Sequence, residues 1–147
     1  MLESSMSVQE ISLQSGDYKA ALDIRERVLR KPLGMTFTDQ DLAEDQNDIH
    51  FVIKDAGVVA GTVVMKPMSD GNWRLRQLAV EPKYQGQNIG GFLTRHCEGY
   101  ARSKGAKKIV LHSRLNVVKF YQAMNYITIG EEFYEVGIPH FKMEKTL

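Results

Sequence analysis

The residues with the clearest capacity for chemistry are Gln85-Gly86-Gln87-Asn88-Ile89-Gly90-Gly91, a polar, glycine-rich run that follows an apolar segment ending at Leu78-Ala79-Val80. Beyond it, Ile89, Phe92, Leu93, Cys97, Tyr100 and Ala101 recur at three- and four-residue spacing, with Thr94, Arg95, Glu98 and Arg102 on the other side. That spacing predicts a helix that starts at the run and stops at Gly105. Gly90 and Gly91 each cost about 1 kcal/mol of helix propensity relative to alanine. Glycines at such a place let a ligand approach the backbone closely. The unpaired N–H groups and positive dipole end of a helix start suit an anion, and a pyrophosphate fits beside small residues.

The residues discriminate among loops of this kind. A Walker A loop needs Lys and then Ser or Thr after its last glycine, whereas Gly91 is followed by Phe92. A dinucleotide fingerprint G-x-G-x-x-G is broken at its second glycine by Gly86-Gln87-Asn88, and the next strand ends in His112-Ser113-Arg114, without the acid that grips a ribose. The run instead resembles the Q/R-x-x-G-x-G/A loop of the GCN5-related N-acetyltransferase (GNAT) superfamily. Gln85, Ile89 and Gly90 fit that pattern, and Asn88 stands where the middle glycine belongs, a place where Asn is tolerated because it visits the left-handed region at low cost. A second segment, from Asn116-Val117-Val118-Lys119-Phe120-Tyr121 to Tyr126, is similar to the family's N-x-x-A-x-x-F-Y-x-x-x-G-F/Y helix, again with Asn125 for a glycine. The two motifs cover the chain from Trp73 onward; residues 1–50 agree only in outline.

The resemblance implies an α/β (α+β) fold: one GNAT-like domain with a central mixed, twisted β-sheet, helices on both faces and a splayed parallel strand pair. It implies acetyl-CoA as acyl donor. Backbone N–H groups of Gln85, Gly86, Gln87, Asn88, Ile89, Gly90 and Gly91 are then expected to hold the pyrophosphate. The backbone of Leu78, Ala79 and Val80 is expected to pair with the pantetheine amides like an added strand, with Asn116 and Phe120 flanking the arm. Transfer is expected to be direct attack of a primary amine on the thioester, with an oxyanion forming beside a backbone N–H near Leu78. Tyr121 matches the family's tyrosine beside the sulfur, and a phenol can protonate a leaving thiolate; packing in the core is its other reading. For the base that deprotonates the amine, Glu132, Glu135, His112 and His140 are candidates. Glu135 is ranked first, from a loop before Gly137. His140 is put second, because it shares parity with Lys142 and Glu144 and should face solvent. Deprotonation through water by no single residue is equally open. The acceptor is a small-molecule or peptide amine. Two rival readings are an acyl-CoA-binding module without catalysis and a nucleotide-binding regulatory domain.

The rest of the chain must position these groups. Its 147 residues suffice for one domain with a real core. A net charge of +1 argues for neither nucleic acid nor an anionic membrane as an obligate partner. The lone Cys97 lies on the apolar helix face and reads as a packed thiol. With no basic leader and no apolar run of spanning length, a soluble cytoplasmic protein is expected. Oligomeric state has no sequence signal, and a homodimer is compatible with this reading.

In chain order, residues 1–6 should fray, and Val8, Ile11 and Leu13 form a first strand. Asp17 should cap a helix with Tyr18, Ala21, Leu22, Ile24, Val28 and Leu29 inward. Arg25 sits within that face, either reaching a substrate anion or laying its stem on the core edge with its head in water. Thr38 to Asp41 has the form of a capping box. Five acids (Asp39, Asp41, Glu44, Asp45 and Asp48) read first as a solvated face and second as bait for an amine. His50 to Ile53 and Val58 to Met65 should make a hairpin. From Trp73 to Glu81 the apolar parity flips near Arg76-Gln77-Leu78, which means either a β-bulge or a strand end buried on both faces. Ile109 to Leu111 should pair in parallel with it. A helix from about Val117 to Met124, capped by Asn116, precedes a strand from Tyr126 to Glu131, a loop with Gly137 and Pro139, and a last strand with Phe141 and Met143 inward.

Overall fold

The computed structural model describes residues 5–147. Part of the fraying expected for residues 1–6 therefore lies outside the described residues, and Met6 already pairs. Seven strands, β1 (Met6–Ile11), β2 (Ile49–Asp55), β3 (Val58–Pro67), β4 (Trp73–Val80), β5 (Lys108–Arg114), β6 (Ile127–Glu135) and β7 (Ile138–Thr146), form one mixed sheet in the order β1-β2-β3-β4-β5-β7-β6. Alternation along the strands separates two apolar layers. Phe51 and Ile53 face α3 (Ile89–Ser103), whose Leu93, Cys97 and Ala101 are fully buried; Val52, Val59 and Ala79 face α1 (Gly16–Arg25) through Ala21 and Ile24. Helices thus cover both faces, as expected. No helix among the described residues is long and apolar enough to cross a membrane.

The β2–β3 hairpin closes on Ala56-Gly57, both at positive φ (49° and 85°), the conformation of the tightest hairpin turns. In β4 the parity flip is a bulge. Thr62 pairs with Ala79 and Val64 with Arg76, so Gln77 and Leu78 together oppose Val63, and Gln77 takes φ 50°. The parallel pairing of β4 with β5 covers only Trp73–Ile109, Arg74–Val110 and Leu75–Leu111. Past Leu75 the two strands part.

Several local expectations are corrected. Ser15, not Asp17, caps α1, its side chain accepting from the Asp17 N–H, and the helix continues as a π-helical turn over Glu26–Arg30. The capping box of α2 (Asp39–Glu44) is formed as read. Asn116 caps nothing: it is exposed on a 3-10 turn, Leu115–Val117, that leads into the short α4 (Val118–Gln122). Thr94 and Glu98, assigned to the outer side of α3, are buried. Thr94 donates to the Gly90 carbonyl, and Glu98 accepts from the Tyr126 hydroxyl at 2.9 Å and Lys145 at 3.1 Å, partners far along the chain that satisfy its charge. The loop expected around Gly137 shrinks to Val136-Gly137, so Glu135 ends strand β6.

Candidate active site

The separation of β4 from β5 is built from the first helix outward. Arg25 is only 1% exposed and Asp45 is fully buried. The two form a fork of 2.8 and 3.0 Å, and the Tyr18 hydroxyl adds a 2.6 Å bond to the same carboxylate. Burial alone would raise the Asp45 pKa, but hydrogen bonds and charge from Arg25, with the Tyr18 hydroxyl, bring it below the usual value. The reading of Arg25 with its head in water is therefore corrected. Its Nε–H donates to Gln77 Oε1 at 2.7 Å, which holds the bulge residue in its left-handed conformation. The acids are not a uniformly solvated face: Glu44 and Asp48 bind Arg76 at 3.0 and 2.7 Å, so with Asp45 three of the five are committed to arginines.

A cavity of about 350 Å³ opens beside the bulge, lined among others by Gln77, Leu78, Tyr121, Glu135, His112 and His140. Tyr121 is 6% exposed, with its ring 4.9 Å from Phe120 and 5.6 Å from Tyr126. Burial, and to a lesser degree the Cys97 thiol, push its phenol pKa up, so it carries its proton at neutral pH. The core reading and the functional reading of Tyr121 coexist: the ring packs, and the residue borders the cavity.

Glu135 lies between two imidazoles. Its Oε1 is 2.9 Å from His112 Nδ1 and its Oε2 is 3.7 Å from His140 Nε2. Arg74 Nη2 is also 2.9 Å from His112 Nδ1, but one ring nitrogen cannot donate and accept together. A carboxylate only accepts and a guanidinium only donates, so one of the two contacts is not a hydrogen bond; in the Nδ1–H tautomer the ring donates to Glu135, Arg74 is an ion-pair partner of the same carboxylate at 3.8 Å, and Nε2 carries the lone pair. His140 Nδ1–H donates to the Ile138 carbonyl at 3.0 Å, which turns Nε2 toward Glu135. The His112 bond, against burial, keeps the Glu135 pKa below the carboxylate norm. His140 is 3% exposed, which corrects its solvent-facing assignment: the Phe133 ring, 5.9 Å away, and Glu135 cover it. Glu132 is exposed and does not border the cavity.

The glycine-rich run lies on the other side of the gap. Gln85, Gly86, Gln87 and Asn88 are exposed, with Gly86 at φ 85° and Asn88 at φ 59° just before α3. Ile89 is buried in the core, so only its backbone faces outward, and Gly91 leaves room for the Asn88 side chain. A Cβ on Gly90 would lie 3.5 Å from Phe120 and 3.6 Å from Leu78, the two apolar walls of the gap. Because Glu81 N–H bonds the Ala60 carbonyl, alternation turns the Val80 amide away from β3 and toward the gap. Its carbonyl there accepts from the Gln85 side chain at 3.0 Å. The Ala79 side chain is buried against α1, leaving its backbone alone for any ligand role. Asn116 does not border the cavity. The open loop, the outward amide and the apolar walls fit an extended thioester donor ending in a pyrophosphate.

Sequence reasoning left out Arg74, Arg76, Arg30 and Arg114, all of which border the cavity. The alternation of β4 and β5 was the available signal for Arg74, Arg76 and Arg114; nothing in the sequence singled out Arg30.

This fold and cleft are those of an acyltransferase. Residues 27–147 match the model of the acetyltransferase (GNAT) domain, and the chain belongs to that family. A Bacillus subtilis (strain 168) protein provisionally named an acetyltransferase is 25% identical over 146 residues, covering 95% of this chain and 96% of its own. The crystal structure of a Lactobacillus plantarum protein provisionally named an N-acetyltransferase superposes with TM-score 0.85 at 23% identity, covering 97% and 99% of the two chains. A GNAT family acetyltransferase from Elizabethkingia anophelis, solved with acetyl-CoA bound, gives TM-score 0.73 at 18% identity over 99% and 100%.

Proposed function

We propose that the protein moves an acetyl group from acetyl-CoA to a primary amine by direct attack. The observation that carries this reading is the placement of Tyr121 and the Glu135–His112 pair on one cavity where β4 and β5 part. The donor, when bound, supplies an activated acyl carbon and a thiolate leaving group. Backbone N–H groups from Gln85 to Gly91 hold its pyrophosphate at the start of α3, the Val80 amide pairs with its arm, and Phe120 and Leu78 pack the apolar part. Asn116, exposed beside α4, flanks the same arm.

An amine with pKa near 10 arrives as an ammonium and must lose a proton before it attacks. That proton passes to His112 Nε2, and Glu135, accepting from Nδ1–H, stabilises the resulting imidazolium. His140 packs beside Glu135, its Nε2 3.7 Å from the second carboxylate oxygen. As the nitrogen–carbon bond forms, charge on the carbonyl oxygen meets the backbone N–H near Leu78. The carbon–sulfur bond then breaks, Tyr121 gives its proton to the departing sulfur, and the surplus proton on the new amide nitrogen returns through water to the Tyr121 phenolate. The test is thiol release from acetyl-CoA in the presence of primary amines. Release that depends on the amine supports transfer; bound acetyl-CoA with no amine-dependent release would leave a binding module.

A further inference from the structure

Acids match the positive charge around the cavity unevenly, doubly at Arg76, which Glu44 and Asp48 both bind. Four guanidiniums, those of Arg30, Arg74, Arg76 and Arg114, border it together with three acids, Asp41, Glu44 and Glu135. All three acids are engaged. Asp41 accepts from the Thr38 N–H at 2.9 Å, Glu44 pairs with Arg76 at 3.0 Å, and Glu135 is held by His112 at 2.9 Å with Arg74 at 3.8 Å. Among the described residues, Arg30 and Arg114 have no carboxylate at ion-pair distance.

These two arginines are brought together by the main chain. Arg114 Nη2–H donates to the carbonyl of Leu29, the residue before Arg30. The Arg30 guanidinium lies over the Phe37 ring at 5.2 Å, which limits its freedom to turn away. Both side chains are half-buried. Burial first, and then the Arg30 charge, pull the Arg114 pKa down, as like charges do in a poorly hydrated place. The donor's pyrophosphate does not account for them, because no residue from Gln85 to Gly91 borders this cavity. Planar guanidiniums without counter-ions form a fork suited to a carboxylate or a phosphate.

We propose that the acceptor amine also carries an anionic group, a carboxylate or phosphate, which Arg30 and Arg114 hold while the amine lies against Glu135 and His112. This rests on the acyl-transfer reading of the same cavity. The substrate is thus zwitterionic, and polyamines are poor acceptors.

The test follows thiol release from acetyl-CoA with β-alanine and ethanolamine phosphate, against β-alaninamide, ethanolamine and putrescine. In parallel, thermal stabilisation by glutarate and by inorganic phosphate is measured with and without CoA. The anionic amines should exceed their neutral counterparts about 10-fold or more in kcat/KM, the size of one charge-assisted contact. The ratio should collapse toward one in Arg30→Gln and Arg114→Gln through KM, with acetyl-CoA affinity unchanged. Arg30→Lys should retain part of it. The carboxylate and phosphate arms identify the anion. Preference for neutral or dicationic amines, or a preference that survives both substitutions, overturns the proposal. Because Arg114 also holds Leu29, Arg30→Gln decides the matter if Arg114→Gln does not fold. If acetyl-CoA fails to stabilise the protein, the acyl-transfer reading falls by itself. The anion fork is then judged by whether glutarate or phosphate stabilises wild type and not Arg30→Gln; no stabilisation of wild type overturns it.

Discussion

Tyr121 and Glu135 have opposite electrostatic settings within one cavity, and that contrast assigns their tasks. Burial raises the phenol, so it is protonated at neutral pH and is no base, whereas the His112 bond holds Glu135 ionised. Tyr121→Phe keeps the ring packing against Phe120 and Tyr126 and removes only the proton. It should lower kcat roughly 100-fold, the size of one general acid, with acetyl-CoA affinity nearly unchanged; steady-state kinetics beside a binding titration checks this, and equal turnover would remove the acid role. Glu135→Gln should also cost about 100-fold in turnover at neutral pH, because His112 loses the anion that stabilises its charged form. A pH–rate profile is the control. Since the Glu135 pKa is below the carboxylate norm, wild-type activity should show no loss from its protonation until the pH falls beneath that norm. The sequence exposed Tyr121 through its motif, but the burial of His140 was illegible. Strand alternation put it with Lys142 and Glu144 correctly, yet what covers it comes from Phe133 and Glu135 on the neighbouring strand.

At the scale of elements, the helix α1 and the bulge in β4 act as one device. Arg25 joins them through Asp45 on one side and Gln77 on the other. Asp45→Ala strands a buried guanidinium and should cost about 3–5 kcal/mol at neutral pH. The sign with pH follows from the lowered pKa. The folded carboxylate is below its unfolded value, so its contribution is present above that value and is lost as pH falls through the folded pKa. The gap between wild type and Asp45→Ala in denaturant titrations should therefore narrow in acid; a constant gap would mean that the charge of Asp45 is not what stabilises. The start of α3 makes a different prediction. Gly90 has an ordinary helical backbone and its Cβ position points between Phe120 and Leu78. Gly90→Val should keep the fold and weaken CoA binding at least about 10-fold by filling the gap, measured by calorimetry; unchanged affinity would defeat the loop assignment. The periodicity of α3 and the parity flip in β4 were both readable because each is a local pattern. The Arg25–Asp45 pair was not, since its partners stand twenty residues apart and only the packed sheet brings them together. Glu98 was misplaced for the same reason, its partners Tyr126 and Lys145 standing 28 and 47 residues on.

For the molecule as a whole, the sheet order and the short parallel pairing of β4 with β5 create a gap with the glycine-rich loop on one side and an arginine-lined cavity on the other. The fold class was legible because two motifs, about thirty residues apart, fixed the β-α-β unit around the gap. The cavity's charge was not, because its arginines come from a helix end and from two strands. The central claim is that the gap takes an acyl-CoA and not another phosphate-bearing ligand. Thermal denaturation of the protein with acetyl-CoA, CoA, ATP and NADPH side by side tests it most directly. A ligand at 100 times its dissociation constant adds about 2.7 kcal/mol, which shifts the melting temperature of a chain this size by several degrees. Stabilisation by acetyl-CoA and CoA alone is the predicted result. Stabilisation by ATP or NADPH instead, or by none of the four, would contradict it.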